Sequence, residues 1–308
     1  MDTSTLNQQF GLSSSLRFSD DSNGLIVAEI DNSLATARIC LQGAHLLNWQ
    51  PHGAAVPIVW LSDSAQLLPG KSPHSGAPVC WPWFGAHASD PGLPAHGYAR
   101  NLPWAVIATA SEANGATRII LRLQGNERAR ALWPHATTLE LTISVGETLR
   151  LALTTSNTGD AEITIGEAFH TYFQVGDIAQ TRVTGLEGVT YADKVADFAR
   201  SVQHGPITFS GEVDRVYVDT DAECLIEDPV LQRRIRIAKS GSLATVVWTP
   251  GQTKGEQLGD LGPDGWRHMV CVESANAMEN QVLIPPGEAH TLAVEYRAEP
   301  LPAGSPVP

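Results

Sequence analysis

The segment GEAFHTYF, residues 166–173, places an imidazole among small residues at alternating positions. If it is a regular strand, its side chains part by parity. Ile163, Ile165, Glu167, Phe169 and Phe173 share one face, and Gly166, Ala168, His170 and Tyr172 share the other. Two small residues beside a histidine leave space for a ligand. The alternative is a core histidine bonded to a backbone carbonyl, and a bulge would break the parity. MVCVESAN, residues 269–276, is apolar on both faces and reads as a buried strand that carries Met269, Cys271 and Glu273 on one side. Carboxylates are seldom buried without a partner. Glu273 therefore either reaches solvent at a strand end or lies in a pocket, where desolvation makes a carboxylate a stronger base.

Other candidates come from broken chain. AHGYAR supplies His96 and Arg100 on a stretch rich in Gly and Pro, and loops carry binding groups more often than strands do. GEVDRVYVD supplies Glu212, Asp214 and Arg215 at the mouth of a strand, with a surface Asp214–Arg215 ion pair as the plain alternative. In PVCWPWFG, Trp81, Trp83 and Phe84 offer flat faces either to a pyranose or to the core; Trp133, Trp248 and Trp266 share that ambiguity. His96, His170 and Glu273 could also be metal ligands, but no HxH or HxxxH spacing supports this. A glycosidase needs two facing carboxylates, and only Glu273 has a persuasive setting.

These groups must be held by strands. TLELTISV (138–145) puts Leu139, Leu141, Ile143 and Val145 on one face, and TLRLALTT repeats the alternation after Gly146-Glu147, a hairpin signal. Many further alternating runs, punctuated by 27 Gly and 20 Pro, predict an all-β chain: a large antiparallel β-sandwich. Short helices are expected only near DSAQLL (63–68) and DGWRHM (264–269). With no composition break, the 308 residues read as one domain, with residues 1–22 and 299–308 loosely held.

A net charge of −13 disfavours a basic face for nucleic acid or an anionic membrane. Cys40, Cys80, Cys224 and Cys271 form no CxxC pair and read as reduced, packed thiols. The N-terminus shows no secretory pattern and no apolar run approaches ~18 residues. The expectation is a cytoplasmic protein, a monomer, with no nucleic-acid or membrane partner.

Taken together and in order, GAHLLNWQPHG, GAPVCWPWFG, PAHGYARNLPW, AFHTYF, EVDRVY, VVWTPG and MVCVES resemble the aldose 1-epimerase-like proteins. Within that family the WPWFG and HGxAR pieces are similar to the hexose-6-phosphate mutarotase branch. The resemblance implies a supersandwich with a cleft on one concave sheet, and interconversion of α and β anomers of a hexose or hexose phosphate without metal or cofactor. It implies Glu273 as general base, His170 as general acid, His96 near the ring oxygen and Asp214 on a sugar hydroxyl. Ring opening removes the C1 hydroxyl proton and protonates the ring oxygen, each positioned transfer being worth roughly 10²–10⁴-fold. Glu273 is then expected ionised and His170 protonated. One departure stands out: SPHSGAPVCWPWFG places His74 where the family carries a substrate-binding arginine. His74, Lys71 and Arg100 are left as possible polar and anion contacts, so a non-phosphorylated aldose is an alternative substrate. A non-catalytic carbohydrate-binding sandwich is the alternative from another class.

Overall fold

The computed structural model describes residues 1–302. Its architecture is antiparallel throughout. A nine-stranded sheet runs Ile207–Thr208, Arg182–Thr184, Cys224–Asp228, Arg233–Ser240, Ala289–Pro300, Leu149–Asn157, Thr137–Val145, Thr117–Leu123 and Trp104–Ser111 in spatial order. Facing it is an eight-stranded sheet. Its main path is Ala199–Val202, Thr190–Asp193, Val213–Tyr217, Ala244–Thr249, Met269–Asn276, Glu167–Phe169 and Val79–Cys80, and Tyr172–Gln174 also pairs with Met269–Asn276. Four strands between Leu16 and Pro51 extend this layer through bridges at Val59, which meets both Trp49 and Phe173.

The alternation expected over 138–153 holds. Leu139, Leu141, Ile143, Val145, Leu149, Leu151 and Leu153 are all buried, and Val145 pairs with Leu149 across the tight connection. They pack against Val270, Val272, Val247, Phe169 and Phe173 of the facing sheet, which places the main core between the layers. A second cluster, including Trp60, Cys80, Ala168, Tyr172, Val246, Trp248, Met269 and Cys271, covers the other face of the eight-stranded sheet. The Met269–Asn276 strand is therefore buried on both sides, as its sequence demanded. The four cysteines are free and buried.

Three expectations change. Residues 163–174 are not one strand: they form Ile163–Ile165, Glu167–Phe169 and Tyr172–Gln174, each with its own partners. The parity survives the breaks, because Phe169 and Phe173 enter the main core while Ala168 and Tyr172 join the second cluster. Residues 63–68 are not helical, and 265–268 form a single 3-10 turn; the α-helices are Thr3–Phe10, Glu127–Leu132 and Gly251–Leu258. The first 22 residues are held rather than loose. Leu6, Leu16 and Phe18 are buried, Asp2 caps the helix through Thr5 N–H, and the Asn7 amide pairs with both backbone groups of Phe18 at 2.8 Å. At the other end Glu299 and Pro300 are paired with Arg234 and Arg233, while residues 303–308 lie outside the described residues. No helix among the described residues is long and apolar enough to cross a membrane.

Candidate active site

Glu273 sits mid-strand on the outer face of the eight-stranded sheet, directly opposite Val246, with 1% of its side-chain surface exposed to solvent. His170 follows the Glu167–Phe169 strand, where the chain turns before Tyr172. Its Nε2 lies 3.4 Å from Glu273 Oε1, an ion-pair distance. Two residues distant in sequence are thus neighbours because their strands pair, Phe169 with Ser274 and Tyr172 with Cys271. Tyr172 stacks on His170 at 5.0 Å, and Trp248 meets both rings edge-on. This apolar surround lowers the local dielectric. Burial pushes Glu273 well above the usual carboxylate range, with Lys194 and Arg100 opposing and Asp214 reinforcing the shift. Burial likewise holds His170 well below the usual imidazole range, aided by His96 and Arg100. Desolvation thus works against the ionised Glu273 and protonated His170 that the resemblance implies, since it favours the neutral form of each.

His96 completes the group, its ring 5.6 Å from His170. It occupies the left-handed region at φ 65°, followed by Gly97 at φ 71°. A Cβ on Gly97 would stand 1.9 Å from the Trp81 carbonyl oxygen, so only glycine fits. Strained backbone held by its surroundings clusters at functional sites. His96 N–H donates to Gly85 O, and Nδ1 accepts from Gly85 N–H, which leaves the proton on Nε2. Burial brings its pKa down to about 3, so His96 acts as a neutral donor.

Asp214 lies on the same face, two strands from Glu273, and its Oδ2 is 2.8 Å from Lys194 Nζ. The surface pair with Arg215 does not form; Arg215 binds Asp193 instead. Burial raises Asp214, opposed by the Lys194 ammonium. Arg100 donates through Nη2 to Ala95 O and is electrostatically felt by His96, His170 and Glu273. His74 stands at the other rim, where Nδ1 is 3.0 Å from both oxygens of Asp260 and its backbone N–H donates to Oδ2. Lys71 is not drawn in. It lies exposed in the 68–73 loop, where its carbonyl accepts from Gln42. Among the described residues no three His, Cys, Asp or Glu side chains converge as metal ligands, so His96, His170 and Glu273 are not such a set.

Of the aromatics, Trp81 and Trp83 belong to the main core, Trp81 donating to Thr155 Oγ1. The aromatics around the pair are instead Tyr172 and Trp248, with Trp60 stacked on Tyr172 and Phe84 packed edge-on against His96. Lys194 and Asp260 were not singled out by sequence. Lys194 sits in YADKVAD, a run that reads as solvated surface, and Asp260 reaches His74 across 186 positions. Four buried polar atoms of the group have no hydrogen-bond partner: Glu273 Oε2, His170 Nδ1, Asp214 Oδ1 and Arg100 Nε. Such orphans are rare in folded proteins, and two of them, Glu273 Oε2 and His170 Nδ1, belong to side chains that already pair, which leaves that pair able to take a polar molecule.

The fold is thus an antiparallel sandwich with a buried carboxylate–imidazole pair on one sheet face. The family model for aldose 1-epimerase matches residues 27–297. A protein of Escherichia coli (strain K12) provisionally named glucose-6-phosphate 1-epimerase is 40% identical over 262 residues, covering 85% of this chain and 86% of that protein. A crystal structure of a Salmonella typhimurium protein, provisionally described as a mutarotase, superposes with TM-score 0.86 at 35% identity, covering 93% of this chain and 94% of the other. A galactose mutarotase-like protein of Clostridium acetobutylicum shares the fold at TM-score 0.76 and 13% identity, covering 93% and 98%. The chain belongs to the aldose 1-epimerase family, and it is an isomerase of that type.

Proposed function

We propose that this chain is a hexose-6-phosphate 1-epimerase. The observation that carries the chemistry is the Glu273–His170 pair at 3.4 Å, each member with an unpartnered polar atom. Ring opening takes one proton from the anomeric hydroxyl and gives one to the ring oxygen. A neighbouring acid and base that together hold a single proton can do both. The unprotonated member accepts, the protonated member donates, and the pair again holds one proton. Rotation about C1–C2 in the open aldehyde and the reverse transfers close the ring on the other face. The opposed burial shifts support this reading, because they stabilise the one-proton pair over both the doubly protonated and the fully deprotonated state. They rest the proton on Glu273 in the free protein, so the base role implied for Glu273 begins once that proton has moved. His96, neutral and donating from Nε2, supports the ring oxygen, and the unpartnered Asp214 Oδ1 accepts from a sugar hydroxyl.

The phosphate preference is supported by the E. coli and S. typhimurium relatives, both provisionally named glucose-6-phosphate 1-epimerases, and by the Arg100 guanidinium beside the pair. The test is anomer exchange measured by NMR exchange spectroscopy on glucose 6-phosphate, galactose 6-phosphate, glucose and galactose. Faster exchange of a hexose phosphate than of its parent sugar is expected. Binding of sugars without acceleration would instead make the protein a carbohydrate-binding sandwich, and preference for the free sugars would remove the phosphate.

A further inference from the structure

The hairpin 190–202 is costly for what it buries. Every residue from Val195 to Val202 is exposed, Phe198 and Val195 by about half, and Asp197 and Phe198 are both non-glycine residues in the left-handed region at φ 52° and 60°. Nevertheless its turn is tightly specified. Asp193 accepts from Val195 N–H through its side chain and from Phe198 N–H through its carbonyl, and is tied to Arg215, whose guanidinium lies over Tyr191. What this turn delivers is Lys194, whose ammonium meets Asp214 at 2.8 Å.

We propose that Lys194 is a positioning residue for anomerisation: it clamps one oxygen of Asp214, leaves the other to a sugar hydroxyl, and puts its positive charge on the sheet face that carries Glu273. The sugar part of this rests on the function proposed above; the charge part does not. Asp214 Oδ2 is held at 2.8 Å while Oδ1 is buried and unpartnered, so the contact orients the carboxylate and does not merely neutralise it. The titratable groups facing Glu273 are His170 and Tyr172 from the chain after Glu167–Phe169, Cys271 from its own strand, and Cys80 and Asp214 from neighbouring strands. Arg100, Lys194 and, from the facing sheet, Tyr296 complete them. Only Lys194 and Arg100 in this set carry permanent positive charge, and Lys194 acts the more strongly on Glu273. Removing it leaves the buried Asp214 carboxylate without its counter-charge.

The experiment compares wild type with Lys194→Met, Lys194→Gln and Lys194→Arg. The Glu273 side-chain carboxyl is titrated by carbon-13 NMR in the free protein, and kcat and KM for glucose 6-phosphate exchange are measured alongside. In the Met and Gln variants the Glu273 titration is expected to move to higher pH by about one unit, with KM raised about tenfold. Arg keeps both near wild type. The two neutral variants guard against one failing to fold. An unchanged Glu273 titration in either folded neutral variant overturns the proposal, with or without activity. A moved titration with unchanged KM overturns the positioning of Asp214. Absence of exchange in wild type sinks the proposed function alone, since the titration still reads the charge role.

Discussion

Glu273→Gln separates the chemistry of a carboxylate from the cost of burying it. Glu273 is almost wholly enclosed, its Oε2 has no partner, and burial holds its carboxyl well above the usual range. In the unfolded chain the same group ionises near ~4.3. Above that pH the unfolded chain has released a proton that the folded chain still keeps, so stability falls as pH rises, until the folded group also ionises. Each unit between the two values is worth about 1.4 kcal/mol. Glutamine keeps the shape and abolishes the titration. The variant should therefore match wild type near pH 4 and exceed it near pH 8, each kcal/mol raising the thermal midpoint by about 2–4 °C. Activity moves the other way, because losing one positioned proton transfer costs roughly 10²–10⁴-fold in kcat. Thermal melts at the two pH values and NMR exchange rates on the same samples read both effects. A variant that is equally destabilised at both pH values would show that Glu273 is not buried at a cost. Full retention of kcat would show that it is not a proton-transfer group.

Three further outcomes follow from the same charges. Arg100→Met should raise KM for glucose 6-phosphate by about 10–100-fold, the range for a lost charged hydrogen bond, and leave KM for glucose unchanged; steady-state comparison of the two sugars checks this. The dependence of kcat/KM on pH should show a broad plateau through neutrality. It falls in acid where His170, held low by burial, takes a second proton, and in alkali where Glu273, held high by burial, loses the last one. His290 behaves differently, because its hydrogen bond to the fully buried Glu167 raises its pKa. The stability it contributes is complete below the unfolded value of ~6.5 and is lost as pH rises through the higher folded value. His290→Gln should cost about 1–3 kcal/mol in mild acid and little in alkali, as read by denaturant unfolding.

Where side-chain period and burial coincide, the sequence was legible. The alternation in 138–153 and the two-faced apolar run 269–276 dictated strands that the fold contains, because an apolar face has one place to go. The same alternation set His170 beside Gly166, Ala168 and Tyr172 and Glu273 beside Met269 and Cys271, while leaving a core histidine and a solvent-reaching carboxylate open. Local pattern failed where partners are remote. Nothing in YADKVAD distinguishes Lys194 from a surface lysine, since its partner Asp214 lies on a strand brought alongside by the sheet order. Trp81 and Trp83 looked as suited to a sugar as to the core. Their indole N–H groups settle inward on Thr155 and Pro94, a choice made by tertiary packing. Residues 1–22 looked loose because the Asn7–Phe18 lock is one polar residue with no periodic signature.

The charges of the cleft bear on the histidine that replaces the family's arginine. Lys194 is matched by Asp214, and the Glu273–His170 pair with its single proton carries no net charge. His74 is engaged by Asp260 through its ring and its backbone N–H, so any positive charge on its imidazole is already balanced. Arg100 differs from all of these. Its side-chain hydrogen bond runs to a neutral carbonyl, its Nε is buried without a partner, and its charge acts on His96, His170 and Glu273. A guanidinium with no carboxylate partner among the described residues can meet an anion, and a phosphate accepts two of its N–H groups in parallel. On the proposed function, phosphate selectivity is then expected to rest on Arg100, while His74, held by Asp260, is expected to meet a neutral hydroxyl equally well.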